Sequence, residues 1–395
     1  MVVNENIQLS GSTAGRLSRT VSSAARIFAG PAMVRPVVLF QSDDWGRVGI
    51  SSVNALAELK SMGYSVGQSA WDYFGLETAE DVRQLGETLS RFRAADGKAA
   101  CFTANFIMAN ADLRRMAGAG FTEFICIPLS DGFPPPWDDH LLPVYKRNIA
   151  AGVFYPGLHG FTHFNISGLL HALAESSKRG DRARALAALD VPYIRSITPE
   201  YCFALTDIEP NGESFVALAE QKIWIRRGVE LFTQAFGFSP VTACTPGYRC
   251  NDSTLDLLHC SGVSVIQSAS HEAPHDTRGL LSLGRNVFFE PVLGDKPGAV
   301  IERAIEQAEG AVVAGLPIIV CSHSINYISR FLGKGALGRD ALATFLTKLM
   351  AQFRELRFAS DVELLAAWRR RDPDWIRPPS SSEITARARL AMLRA

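Results

Sequence analysis

The sequence predicts an α/β fold built on a parallel sheet or barrel. From about residue 36, short β-like apolar runs alternate with helical stretches, which is typical of strands joined by crossover helices. The 395-residue chain is 47% hydrophobic and 20% charged, a composition typical of folded proteins rather than disordered ones. At about 150 residues per domain the length allows two or three domains, but α/β barrels often exceed ~250 residues as one unit.

Seven apolar runs are the strand candidates, each of them short and bounded by turn residues. They span 36–42, 99–105, 122–128, 241–245, 263–267, 286–290 and 316–322. Between the runs, apolar residues recur at helical spacing. Thr78 is a candidate N-cap for a helix in which Val82, Leu85, Leu89 and Phe92 share one face and which Gly97 ends; Gly237 closes a later helix. We interpret these stripes as core packing.

Two regions depart from the alternation: a proline-rich loop at 131–143 and a mainly helical stretch at 164–239. We expect an N-terminal leader or tail at 1–35, a main fold at 36–370 that carries the helical insertion at 164–239, and a C-terminal tail or helix at 371–395. The leader is arginine-rich, but Arg26 interrupts what would be the apolar core of a secretory signal. A cytoplasmic location is therefore expected, while an organelle transit peptide, a docked amphipathic helix and a mobile tail remain open for the leader.

Charge and cysteine usage exclude several classes of protein. The 40 basic residues balance the 40 acidic ones, which argues against an electrostatic nucleic-acid partner. The seven cysteines include no C-x-x-C pair, so neither a disulfide framework nor a thiolate zinc site is indicated, and we expect reduced thiols. The longest uncharged stretch, 310–329, contains Pro317 and His323, so no membrane span is expected.

Four local patterns carry residues suited to chemistry. Asp43 and Asp44 end an apolar run, where a cation or a proton would offset their repulsion; the alternative is a solvated turn with Gly46. His159 and His163 have the spacing of two zinc ligands if a helical turn follows His159, although eight histidines make a chance pair ordinary.

The other two patterns lie later in the chain. The turn 245–248 frees backbone N–H groups near Gly247 that can face an anion, or it is simply a turn. His323 ends a buried apolar run, which is where α/β barrels place catalytic groups; a structural, hydrogen-bonded histidine is the alternative.

Taken in order, these motifs resemble those of the polysaccharide deacetylases of the NodB-homology group, carbohydrate esterase family 4. Asp43-Asp44 is similar to the first motif, His159 to His163 to the H-[ST]-x-x-H motif with Gly160 in the Ser/Thr place, 245–248 to the third motif and His323 to the last. The resemblance covers 37–368 without the insertion, and it implies a deformed (β/α) barrel.

The resemblance also implies the roles of the site residues. A divalent metal ion, in that family usually zinc, would be held by Asp44, His159 and His163, and Asp43 would act as the general base. The N–H near Gly247 would help to stabilise the oxyanion, and His323 would protonate the departing amine.

Two departures from the family pattern concern residues that act on Asp43 and His323. The arginine that normally pairs with the catalytic aspartate is replaced by Cys244, and Arg249 or Arg47 would have to supply the charge. The aspartate that orients the last histidine is not identifiable, with Asp252 and Asp276 as candidates.

The expected function is metal-dependent hydrolysis of a carbon–nitrogen bond in a non-peptide amide, with N-deacetylation of an amino sugar in a glycan or glycan precursor as the reaction. The partners would be a small-molecule or glycan substrate; the oligomeric state is left open. Two alternatives remain: hydrolysis of a non-sugar amide at the same site, and a non-catalytic carbohydrate-binding protein of the same fold, which Cys244 favours.

Overall fold

The computed structural model describes residues 30–137, 140–192, 194, 215–269, 272–294 and 296–392, with side chains up to residue 390. Most of the predicted leader and the middle of the predicted insertion, 195–214, lie outside the described residues. Within the described ranges, no helix is both long and apolar enough to cross a bilayer. The six cysteines that the structure describes are free thiols.

The described chain alternates strands and helices. The strands are β1 Ala32–Met33, β2 Val37–Trp45, β3 Phe102–Phe106, β4 Ala109–Ala111, β5 Cys126–Pro128, β6 Phe154–Leu158, β7 Thr242–Ala243, β8 Val265–Ser268, β9 His275–Thr277, β10 Leu280–Gly284, β11 Val287–Phe288, β12 Ile318–His323, β13 Arg357–Phe358 and β14 Ile376–Arg377. The α-helices are α1 Val53–Ser61, α2 Ala79–Ser90, α3 Leu113–Gly118, α4 Leu142–Ala150, α5 Ile166–Ala174, α6 Lys178–Ala188, α7 Leu218–Phe236, α8 Asp252–Cys260, α9 Pro297–Val313, α10 Gly335–Gln352, α11 Asp361–Arg370 and α12 Ser381–Met392. Short 3-10 turns lie at Ala70–Tyr73, Pro246–Tyr248 and Ser324–Asn326.

Ten of the described strands form one sheet in the order β11-β12-β2-β3-β6-β7-β8-β10-β9, with β13 also beside β2. Every pair in it is parallel except β9 with β10, which confirms the α/β class with a parallel central sheet. The segment 280–288 borders β8 with its first half and β12 with its second. The N–H of Arg285 donates to Ser268 at 3.0 Å and that of Asn286 to Ile319 at 3.1 Å. One continuous segment therefore lies beside both β8 and β12, which are far apart in the sheet order.

The centre of the sheet is buried on both faces. All nine residues of β2 are buried. Phe40 on β2 stacks on Phe102 of β3 with 5.1 Å between ring centroids and meets the edge of Phe345 on α10. Aromatic pairs in such offset or edge-on geometry contribute about 0.5–1.5 kcal/mol beyond the area that they bury. The helix packed against β2 therefore helps to fix the strand whose end carries Asp43 and Asp44.

Two predicted helix ends are confirmed, whereas the first helix stops at Ser90 instead of continuing to Gly97. Thr78 caps α2, accepting from the N–H of Asp81 while the Asp81 carboxylate accepts from the N–H of Thr78, so two otherwise unsatisfied amide groups are paired. Gly237 ends α7 with a φ of 85°, a conformation that costs glycine little.

The structure also corrects the predicted elements. Strand β6 was missed because Pro156 and Gly157 resemble a turn, yet both belong to the strand. A Cβ on Gly157 would lie 2.1 Å from Oδ1 of Asn105, so glycine is what lets β6 approach β3. The predicted strand at 122–128 is reduced to β5, which pairs with β4 outside the main sheet. Strand β10 was also missed.

Candidate metal centre and active site

The candidate residues lie at the carboxyl ends of neighbouring parallel strands. Asp43 and Asp44 are near the end of β2, and His323, the last residue of β12, is the register partner of Asp43. His159 directly follows β6 and donates its N–H to Phe106 at 2.9 Å. Because parallel strands end at one edge of a sheet, side chains remote in the chain meet there.

Asp44 and the two histidines converge on one point. Oδ1 of Asp44 lies 3.5 Å from Nε2 of His159 and 3.2 Å from Nε2 of His163. All three side chains are buried, and their ligand atoms lie within 4.8 Å of one another. The helical turn that was expected to align the two imidazoles is not formed: His163 lies in the loop that precedes α5, and the loop itself turns it toward Asp44.

The tautomer of His159 shows what this cluster can bind. Nδ1 of His159 lies 2.8 Å from the carbonyl oxygen of Cys244, and a carbonyl only accepts, so Nδ1 carries the proton. In the neutral imidazole the lone pair is then on Nε2, the nitrogen that faces Oδ1 of Asp44, and this buried oxygen accepts no hydrogen bond from the described residues. Two facing lone pairs repel unless a cation lies between them, and one carboxylate oxygen with two imidazole nitrogens is a donor set that suits zinc.

The electrostatics keep these ligand atoms in the state that a metal requires. Burial raises the pKa of Asp44, but the guanidinium group of Arg47, whose Nη1 lies 3.0 Å from Oδ2, is foremost among the charges that outweigh it, so this pKa lies well below its usual value. Burial and Arg47 together hold the pKa of His163 well below 6.5, which leaves its imidazole neutral. Asp44 is therefore ionised, and a neutral imidazole nitrogen of His163 faces it.

The backbone of β2 changes conformation between the two carboxylates. The register with β3 shifts between Ser42 and Trp45, and Asp44 takes a φ of 70°. Aspartate enters the left-handed region more readily than most residues because its short polar side chain can bond locally. The change leaves the Asp44 side chain with the histidines and the Asp43 side chain with a different set of partners.

Asp43 is held by a buried arginine. Nη2 and Nη1 of Arg285 donate to Oδ1 and Oδ2 of Asp43, both at 2.7 Å, and Nδ2 of Asn105 donates to Oδ1 at 2.7 Å. Burial raises the pKa of Asp43, but Arg285, with a smaller contribution from His323, outweighs it, so this pKa lies far below its usual value. A bidentate pair with one further hydrogen bond, from Asn105, fixes the carboxylate in its ionised form.

Sequence reasoning missed Arg285. It considered Arg249 or Arg47 as substitutes for the arginine absent at Cys244, but Arg47 pairs with Asp44, and Arg285 pairs with Asp43. Nη2 of Arg285 lies 3.5 Å from Sγ of Cys244, so the guanidinium group comes beside the cysteine from the segment between β10 and β11. The signal was an arginine directly after an apolar run, but that run, β10, was not recognised as a strand.

His323 has an acidic partner that the sequence did not identify. Its Nδ1 lies 2.6 Å from Oε1 of Glu290, and its Nε2 lies 3.8 Å from Oδ2 of Asp43. Burial lowers the pKa of His323, but Glu290 outweighs it and raises the pKa to about 10, so the imidazole is protonated at neutral pH. Of the two predicted candidates, Asp252 lies 3.5 Å from Arg278 and Asp276 accepts from Trp368.

The turn that follows β7 lies beside Arg285. Gly247 occupies the 3-10 turn with a φ of 61°. The hydroxyl of Tyr248 lies 2.7 Å from Nη1 of Arg285, whose guanidinium carbon stands 5.1 Å from the tyrosine ring centroid. The turn that carries the candidate oxyanion donor is therefore tied to the arginine that binds Asp43.

The open side of the cluster is the side of His323. The side chains of His323 and Glu290 are each 22% exposed, whereas those of Asp43, Asp44 and the two other histidines are at most 8% exposed. The ring of Trp71 meets the His323 ring edge-on at 5.0 Å between centroids. A ligand reaching the buried carboxylates from this side would pass the imidazolium group first.

Comparison with known proteins gives likeness to solved structures only. No family model and no curated protein sequence matches the chain. A protein named as a polysaccharide deacetylase from Mycobacterium smegmatis aligns with 87% of this chain and 92% of its own at 15% identity and a TM-score of 0.46. Peptidoglycan deacetylase PdaC from Bacillus subtilis aligns with 86% of this chain and 94% of its own at 11% identity and a TM-score of 0.39. A CE4 family pseudoenzyme from Bacillus anthracis aligns with 84% of this chain and 66% of its own at 12% identity and a TM-score of 0.38. Functional proposals for the chain rest on the site itself.

Replacing Arg285 by methionine should destabilise the protein in a pH-dependent way. The change leaves Asp43 buried without its cation, which costs about 3–5 kcal/mol in free energy of unfolding at pH 7. In the wild type the pKa of Asp43 is lowered, so its ionised form stabilises the fold at any pH above the pKa of about 3.9 that aspartate has in the unfolded chain. In the variant burial raises that pKa, so the difference between the two proteins should shrink as the pH falls toward 4.

Urea denaturation between pH 3.5 and 8 measures this effect. Arg114→Met is the matched control because Arg114 also pairs with a carboxylate through two nitrogens, that of Asp190, but is 58% exposed. It should lose less than about 1 kcal/mol at every pH. Equal, pH-independent losses in the two variants would contradict the assigned role of Arg285.

Proposed function

We propose that the chain is a divalent-metal-dependent hydrolase of non-peptide amide bonds, and that its substrate is an N-acylated amino sugar in a glycan or glycan precursor. One observation carries the proposal: Oδ1 of Asp44 and the Nε2 atoms of His159 and His163 converge on one point. The carboxylate oxygen is buried there and accepts no hydrogen bond from the described residues. An ionised carboxylate and a protonated imidazole, those of Asp43 and His323, flank that point.

The residues divide the chemistry of amide hydrolysis between them. A divalent cation held by Asp44, His159 and His163 would polarise the amide carbonyl and lower the pKa of a bound water. Asp43, kept ionised and oriented by Arg285 and Asn105, accepts the proton of the attacking water.

His323 supplies the proton that the departing nitrogen needs. It is protonated at neutral pH and lies on the open side of the cluster, where a leaving amine can exit. Expulsion of an amine without a proton is slow, so a positioned imidazolium is worth about 10²–10⁴-fold in rate. The Gly247 amide, on the turn fixed by Tyr248 and Arg285, is the proposed backbone donor to the oxyanion.

The catalytic role is favoured over a purely binding role by Arg285. A protein without a cation beside Asp43 would carry a protonated, inactive carboxyl at that position, and Cys244 raised that prospect. Because Arg285 contacts both carboxylate oxygens, Asp43 has the partner that catalysis needs. The amino-sugar part of the proposal comes from the motif resemblance; a non-sugar amide would use the same site.

Metal content tests the proposed ligands. Protein purified with zinc, cobalt or nickel in the medium should hold about one equivalent per chain by elemental analysis, and His163→Gln should lower this at least about 10-fold, because one of three protein ligands is lost. His171→Gln, on the exposed face of α5, is the control and should keep its metal. Equal metal content in the two variants would contradict the assignment.

Activity tests the base separately from the metal. Asp43→Asn should retain the metal ion but reduce acetate release from N-acetylated amino sugars by about 10²–10⁴-fold, because the neutral amide cannot accept a proton. Wild-type protein screened on N-acetyl sugars, N-formyl compounds and cyclic amides identifies the amide class. Full activity of the variant would refute the role of Asp43; metal and glycan binding without turnover on any amide would favour the binding protein.

The pH profile tests the acid. The acidic form of His323 is lost as the pH rises through its pKa, so the alkaline limb of kcat/KM should extend toward pH 10 in the wild type. Glu290→Gln removes the charge that opposes burial, so the limb should move at least about two units lower. The control, Glu302→Gln on the surface of α9, should leave the profile unchanged. An unchanged profile in Glu290→Gln as well would show that a group other than His323 is the acid.

A further inference from the structure

Asn326 lies behind the pair formed by Glu290 and His323, with no surface exposed to solvent. Its Nδ2 donates to Oε2 of Glu290 at 2.5 Å and to the carbonyl oxygen of His323 at 3.0 Å. We infer that Asn326 is a positioning residue that holds the Glu290 carboxylate with its other oxygen directed at Nδ1 of His323. Its importance for catalysis rests on the function proposed above; its effect on the pair does not.

The orientation of the Asn326 amide is fixed by its surroundings. Its Oδ1 accepts from the N–H of Val292 at 3.3 Å, which only an oxygen can do. The opposite orientation would direct Oδ1 at the Glu290 carboxylate, oxygen against oxygen. Nδ2 is therefore the atom that faces Glu290, and Asn326 acts on it as a donor.

The backbone of Asn326 is held in place by helix α10. Asn326 ends the 3-10 turn that follows β12, and helix α10 lies against this turn. A Cβ on Gly338 would come within 1.6 Å of the Asn326 carbonyl oxygen, and one on Gly335 within 2.7 Å of that of Tyr327. The helix presents glycines where the turn approaches, so Asn326 is fixed relative to β12 and His323.

Glu290 is a side chain that needs such a restraint. It follows β11 and is 22% exposed, so its flexible side chain can turn toward water. Of the two carboxylate oxygens, Oε1 meets His323 and Oε2 meets Asn326. With the second contact in place, rotation away from the imidazole breaks two hydrogen bonds instead of one.

Loss of Asn326 should therefore weaken the contact between Glu290 and His323. The groups that act on the imidazole are Glu290, Asp43 at 3.8 Å, the thiol of Cys321 and the ring of Trp71. Glu290 is the largest of those that raise the pKa of His323, whereas burial lowers it. If the carboxylate turns toward solvent, that pKa falls and the Nδ1–H group loses its acceptor.

Nuclear magnetic resonance of the full-length protein labelled with ¹⁵N-histidine tests this without any substrate, with His323→Gln to assign the signal. We expect Asn326→Ala to lower the pKa of His323 by about one unit or more and to abolish the downfield Nδ1 proton signal of the hydrogen-bonded imidazole. Asn326→Leu, close in size, is the second variant should the alanine variant not fold, and the same shift is expected.

Asn286→Ala is the matched control. Asn286 is also buried beside β12, where it donates to Pro317 at 2.8 Å and accepts from the N–H of Ile319 at 2.9 Å, but it does not contact Glu290. Its loss should lower thermal stability and leave the His323 signals unchanged. An equal shift in this variant would overturn the proposal, because it would show a general effect of loosening β12.

A double-mutant cycle shows whether Asn326 acts through Glu290. In the Glu290→Gln background, Asn326→Ala should produce no further fall in the pKa of His323. The same shift in both backgrounds, or an unchanged or higher pKa in Asn326→Ala, would overturn the proposal. Because no step involves turnover, failure of the hydrolase proposal would appear as absent hydrolysis with these results unaltered.

Discussion

The buried guanidinium group of Arg285 is the interaction on which the rest of the site depends. It has no exposed surface, and its donors reach Gln41, Asp43, Tyr248 and Gln267 at 2.7–3.0 Å. A buried cation is unfavourable unless it is paired and fully hydrogen-bonded. Here the pairing also keeps Asp43 ionised and ties the turn after β7 to β2. One side chain, in the segment between β10 and β11, thus neutralises the buried charge of Asp43 and links three parts of the chain.

The buried side chains next to the pair formed by Arg285 and Asp43 are joined in a network of polar groups. Gln267 donates to Asn105 at 3.1 Å and to Asp361 at 2.9 Å, and Asp361 also accepts from Gln41 at 3.0 Å and Thr242 at 2.6 Å. Such a network is favourable only when its members are satisfied, since each unpaired buried polar group costs about 1–3 kcal/mol. These side chains belong to four strands and to the first turn of α11. The network therefore links the orientation of the Asp43 carboxylate to the packing of a helix distant in sequence.

The sequence was sufficient for features that depend on local pattern. The parallel α/β class followed from alternating apolar runs. The five side chains predicted to share a site could be selected because each ends a run or belongs to a short motif, and the fold brings them near one another. Strand β6 was not found, because Pro156 and Gly157 indicate a turn unless the close approach of Asn105 is known. Arg285 and Glu290 were not found for a related reason. Their partners are 242 and 33 residues away, and nothing in the neighbouring sequence marks a residue whose role is defined only by what it meets in the folded chain.

The left-handed backbone at Asp44 has a consequence for how substitutions there are read. Asparagine tolerates this region about as well as aspartate, so it removes the negative charge and leaves the bend in β2 unstrained. Alanine has no polar group to offset the unfavourable torsion, so it would mix conformational strain with the loss of a ligand. Glycine would relax the bend altogether. A comparison of these three residues at position 44 separates electrostatic from conformational contributions at the bend in β2.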